Sequence, residues 1–211
     1  MSVDDCKTYD DDKAFGTKAP SLELIDMVRG EKVDFEPGKV HVIFFFQAFY
    51  KGAWIVNEEM SVLVEKYAPL GVKFIALSQD ADVESVEKFL KKIEDGRVKD
   101  ENTGKIYRLT MPYVALDGKK ATGKLFATAS DLSVLPVPCA YIVNKDGVIV
   151  WRQAMHQSHT LVQTSPNFDS QLEKVVAGAD VELKNGAAPK AKAADPDEGE
   201  VMEVEGDLAL F

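Results

Sequence analysis

The chain has 211 residues, 45% hydrophobic and 28% charged, with a net charge of −10. That length and balance suit one globular domain with extensions, and the negative surface disfavours nucleic acid and anionic membrane as partners. Two cysteines, Cys6 and Cys139, are too few for a disulfide framework, so a reducing compartment is expected. The start from Met1 to Cys6 is acidic and lacks the marks of a signal or transit peptide. The longest apolar run, around Val40 to Phe46, is too short to span a bilayer. A cytoplasmic address is the expectation.

Residues 1–15 are polar and rich in aspartate and are read as a mobile acidic arm. Leu22, Leu24 and Ile25 then predict a short strand. A turn at Arg29-Gly30-Glu31 leads to Val33 and Phe35, the expected partner in an N-terminal hairpin. Pro37-Gly38 is a turn signal. Val40 to Phe46 is an apolar run without alternation, as in strands buried on both faces. Val56, Met60, Leu63 and Tyr67 recur at helical spacing, with Glu58, Glu59, Glu65 and Lys66 expected on the other faces.

Gly71 to Leu77 predicts a second buried strand. Val83, Val86, Leu90 and Ile93 predict a helix with Asp82 as its N-cap. The charged stretch 94–110, with Gly96 and Gly104, reads as an exposed loop. Tyr113 to Leu116 predicts a strand and Lys119 to Ala127 a short helix. Cys139 to Val143 and Val148 to Trp151 predict a hairpin about the turn Asn144-Lys145-Asp146-Gly147. Phe168, Leu172, Val175 and Val176 mark a final helix. Strands alternating with helices imply an α/β fold with a central mixed sheet flanked by helices. No internal repeat is visible.

From about residue 182 the composition changes to an Ala/Pro/Lys linker. Asp195 to Asp207 then holds seven carboxylates and no cation, and the chain finishes on Leu208-Ala209-Leu210-Phe211. Two readings stay open. One is a docking motif in which Leu208, Leu210 and Phe211 engage a partner. The other is a solvated acidic tail. The expected organisation is a 1–15 arm, a 16–181 domain and a 182–211 tail.

Four stretches carry a family resemblance. The first is Gly16-x-x-Ala19-Pro20-x-Leu22-x-Leu24. The second is the strand, turn and helix start from Val42 to Trp54. The third is the strand Gly71 to Ser78, and the fourth runs from Pro136 through Pro138 to Trp151. Together they resemble the redoxin branch of the thioredoxin superfamily, which contains the TlpA-type thiol–disulfide oxidoreductases and the peroxiredoxins. The resemblance covers about residues 16–178 and implies a thioredoxin-like fold with a cis-proline at Pro138. It also implies a Cys-x-x-Cys pair at the helix start, but those positions read Tyr50 and Ala53, with Lys51 and Gly52 between them. The peroxiredoxin pattern of Thr three residues before Cys is absent too, with Gln47 and Tyr50 in its place.

In the family the first cysteine is armed by the helix N-terminus and the second resolves the mixed disulfide. A phenol and a methyl group do neither. The resemblance therefore implies a redox-degenerate protein serving as an interaction or scaffold subunit, with proteins as partners and no cofactor. Two alternatives remain. Cys139, directly after Pro138, is a candidate catalytic thiol near the start of the helix around Ala53, or else a small buried hydrophobe. Tyr50, Val137 and Pro138 could line a shallow groove for an extended peptide. His41, His156 and His159 lack metal-ligand spacing, and Trp151 and Phe44 to Phe46 are read as core.

Overall fold

The computed structural model describes residues 12–23, 25–48, 51–100, 102–154 and 166–181. Among the described residues six strands form one sheet: β1 (Ile25–Arg29), β2 (His41–Phe46), β3 (Lys73–Ser78), β4 (Tyr113–Asp117), β5 (Cys139–Val143) and β6 (Ile149–Ala154). Their order is β1-β4-β3-β2-β5-β6. The central pairs β2–β3 and β3–β4 are parallel, and the remaining pairs are antiparallel. The helices are α1 (Lys51–Tyr67), α2 (Val83–Glu94), α3 (Ala121–Ala129) and α4 (Pro166–Ala177). The sheet is thus mixed and the architecture α/β, as the sequence implies.

Every residue of β2 is buried. Alternation sends Phe44 and Phe46 into one layer, with α1, α2 and α4, and Ile43 and Phe45 into the other, with α3. Each fully buried phenylalanine contributes roughly 1.5–3 kcal/mol by leaving water. Val56, Met60, Leu63 and Tyr67 form the buried stripe of α1, as their spacing predicts. Asp82 caps α2, its carboxylate accepting the Ser85 amide at 2.7 Å. The Tyr67 hydroxyl donates to Asp169 Oδ1 at 2.5 Å and Lys66 reaches the same carboxylate at 2.9 Å, which fastens α4 to α1.

Three local expectations are corrected. First, no hairpin joins the first strand to Val33 and Phe35. β1 instead adds antiparallel to the edge of β4, with Ile25 opposite Asp117, and residues 31–40 carry no strand. Val33 is buried in the α3 layer. Second, the charged stretch 94–110 is not simply a solvent loop. Val98, Tyr107, Leu109 and Met111 around its later part are buried in the α1 layer.

Third, Glu58 does not face solvent, and its side chain is only 10% exposed. It accepts the Arg108 backbone N–H at 2.8 Å and the Arg108 Nη2 at 3.2 Å, while Arg108 Nη1 reaches Glu65 at 2.5 Å. Ser61 Oγ accepts the Thr110 N–H at 3.0 Å. One face of α1 therefore serves as the dock for residues 105–111.

Burial alone would raise the Glu58 pKa, but the hydrogen bonds and charge of Arg108 outweigh it and hold the group below its ordinary 4.5. The contribution of the pair is thus complete above pH 4.5 and fades as pH falls through the lowered value. Glu58→Gln is expected to cost about 1–2 kcal/mol at neutral pH. Hydrogen exchange should locate the loss at residues 105–111, and the deficit against wild type should narrow on acidification.

Candidate functional site

The turn that resembles the family's reactive site lies between β2 and α1. Helix α1 begins at Lys51, so Lys51, Gly52 and Ala53 form its first turn. Tyr50 lies outside the described residues. The turn's entry is anchored from β3. The Ala48 N–H donates to Asp80 Oδ2 at 2.8 Å, and the same oxygen accepts the Ser78 hydroxyl. The Gln79 N–H donates to the Phe46 carbonyl at 2.8 Å, and Trp54 Nε1 donates to the Ala48 carbonyl at 3.2 Å. Asp80 and Trp54 also border a 650 Å³ cleft between α1 and α2 that contains Phe89, Lys92 and Arg97. Asp80 was not singled out from the sequence, because its role depends on the parallel register that sets Ser78 beside Phe46.

The Val137–Pro138 peptide bond is cis. Pro138 is buried, and Val137 is half-buried against the α3 layer. Of the three expected groove residues, then, one lies outside the described residues and one has little surface to offer.

Cys139 is 0% exposed. It stands opposite Phe45 in the β2–β5 ladder, so its side chain belongs to the α3 layer, across the sheet from α1. The expectation that its sulfur approaches the helix start around Ala53 is corrected by this register. Burial pushes its thiol up to about 12, against the opposing pull of the nearby Arg152 charge. A thiolate nucleophile needs the reverse, exposure and a lowered pKa.

Beside Cys139 runs a buried polar seam. Arg152 Nε donates to Asp12 Oδ2, and both side chains are almost wholly buried. The Tyr141 hydroxyl lies 2.9 Å from Ser130 Oγ, and burial raises its pKa. A second polar knot opens α3, where Asp117 accepts the N–H groups of Thr122 and Gly123, each at 2.8 Å, and Gln79 Nε2 at 3.0 Å. Burial nevertheless raises the Asp117 pKa, because desolvation outweighs these three donors. A Cβ at Gly123 would stand 2.0 Å from Gln79 Nε2, so glycine leaves the room this knot occupies.

Among the described residues no group of three or more His, Cys, Asp or Glu could hold a metal ion. His156, His159, Cys6, Leu208, Leu210 and Phe211 lie outside the described residues. No described helix is long and apolar enough to cross a membrane.

Solved structures with the same fold include an uncharacterized conserved protein from Geobacillus kaustophilus, with TM-score 0.58 and 18% identity over 83% of this chain and 88% of that one. A thiol:disulfide interchange protein of the thioredoxin family from Chlorobium tepidum gives TM-score 0.51 and 17% identity over 77% and 98%. The thioredoxin domain of a thiol-disulfide oxidoreductase from Bacteroides vulgatus gives 0.52 and 16% over 77% and 98%. At such identities the likeness concerns the fold, and no curated protein matches the chain. Residues 15–152 match the AhpC/TSA family. That span holds the opening motif, the cysteine-free turn and the cis-proline hairpin together, and the chain is a member of that family.

Proposed function

We propose that this chain is a redox-degenerate member of its family, acting as an interaction or scaffold subunit of a protein assembly in the cytoplasm. One observation carries the reading. The residues at the family's reactive turn are Tyr50 and Ala53, and the described cysteine, Cys139, is enclosed on the far side of the sheet. A fold without its nucleophile keeps its surfaces, and function then rests on recognition. The single-cysteine alternative is disfavoured by the burial and raised pKa of Cys139. Peptide capture at Pro138 is disfavoured by the burial of that residue.

The test pairs chemistry with capture. The purified chain is expected to show no disulfide reductase or thiol peroxidase turnover, and Cys139 is expected to resist alkylation until the protein is denatured. Partners recovered from native lysate should survive reductant at fixed stoichiometry and persist with Cys139→Ser. Robust turnover, or partners released by reductant and lost in Cys139→Ser, would overturn the reading.

A further inference from the structure

A cleft of about 520 Å³ lies between α3 and residues 132–135, with Gly123, Ala127, Leu132 and Leu135 in its wall. Such a volume lies within the range of roughly 300–1,000 Å³ typical of ligand sites. Its lip is apolar and open: Val134 is 76% exposed, and the neighbouring Leu125 is 39% exposed. Lys120 and Lys124 line the cleft and stand exposed along its edge, and Lys119, next to Lys120 in the chain, is exposed as well. Lysine occupies 119 and 120 although both have left-handed backbone, φ 55, which favours glycine. Among the described residues none of the three ammonium groups has a carboxylate partner, whereas Lys88 and Arg97, at the other cleft, are paired with Glu84 and Asp95. Within 118–138 the one acid is Asp131, and Glu23 joins this edge through its backbone bonds to Thr122, so three lysines face two carboxylates there on a chain of net charge −10.

The complement of that edge is written in the same chain. Asp195 to Asp207 carries seven carboxylates without a cation and runs into Leu208, Leu210 and Phe211. We propose that the segment 195–211 docks in cis on this cleft, its carboxylates along Lys119, Lys120 and Lys124 and its terminal apolar side chains beside Val134 and Leu135.

Reach permits this. The 27 residues from Val181 to Leu208 can extend to about 90 Å, against a radius of gyration of about 15 Å for a domain of this size. Tethering gives the segment an effective concentration on the order of millimolar, so a weak contact suffices and a second copy is outcompeted. The proposal does not depend on the absence of thiol chemistry.

Zero-length carbodiimide cross-linking of the full chain tests it, using an equal mixture of ¹⁴N- and ¹⁵N-labelled protein. Tail carboxylates should link to Lys119, Lys120 and Lys124 several-fold more than to Lys91 and Lys92 of α2, and within single chains. Those links should fall several-fold in Val134→Asp and in Leu208→Ser/Leu210→Ser/Phe211→Ser, both of which leave every lysine and tail acid in place. They should also weaken at high salt, where screening shortens to about 3 Å at 1 M. Links spread evenly over the lysines, links between isotopes, or links indifferent to both variants would overturn it. The first would mean an unspecific charge contact, the second a tail exchanged between copies, and the third docking elsewhere.

Discussion

Arg152→Met is expected to lower the unfolding free energy by about 3–5 kcal/mol, the range found when one partner of a buried ion pair is removed. Arg152 and Asp12 are 6% and 5% exposed. Methionine would fill much of the volume but would leave the Asp12 carboxylate away from water with no counter-charge. The expected counterpart is recovery. Asp12→Leu combined with Arg152→Met should regain most of the loss, because two apolar side chains carry no desolvation cost. Denaturant titration of the two single variants and the double variant gives the coupling directly. A single Arg152→Met within about 0.5 kcal/mol of wild type, the scatter of neutral surface changes, would mean that the pair does not bear on stability.

Asp117→Ala is the second large effect, at about 2–4 kcal/mol, the cost of leaving several buried donors without an acceptor. The carboxylate serves two N–H groups of the first turn of α3 and the amide of Gln79. Asn should recover part of the loss through its one carbonyl oxygen, although its NH₂ would then face a donor. Exchange protection of Thr122 and Gly123 should fall in the alanine variant before that of β2, since the break is local to α3. Uniform loss across the sheet would show that the knot does not act as a cap.

What could be read from the sequence, and what could not, divides by range. β2 declares itself through an apolar run with no polar interruption, and α1 and α2 through their 3.6-residue period, because each of these patterns is carried by the element's own consecutive residues. Tyr107, Leu109 and Met111 alternate with Arg108 and Thr110, but the run is short and Val98 stands nine residues before it, so the charges between them make 94–110 look solvent-facing. Glu58 was placed outward for the same reason: a carboxylate on a helix defaults to water until a remote Arg108 is known to meet it. The Asp12–Arg152 pair joins residues 140 positions apart, and no local pattern announces that.

At the candidate site the reading of Cys139 as a small buried hydrophobe agrees with its 0% exposure, whereas the side of the sheet it takes was not legible. In a strand every residue is one register step from the opposite face. The sequence shows that Cys139 follows Pro138 but not that it lies opposite Phe45 rather than Phe44. That single step separates a thiol beside the reactive turn from one sealed beneath α3. The lost cysteine pair, by contrast, was fully legible, since it depends on residue identity and not on placement.

The outer rim of β6 is occupied near its start. The Gly16 N–H donates to the Ile149 carbonyl at 2.9 Å, the Ile149 N–H donates to the Thr17 carbonyl at 2.9 Å, and the Ala19 N–H reaches Gly147. Residues 16–19 thereby take up backbone groups that would otherwise be free to zip onto another chain. A shortened protein beginning after Ala19 would bare that rim, and its tendency to self-associate would be a property of the cut and not of the native molecule.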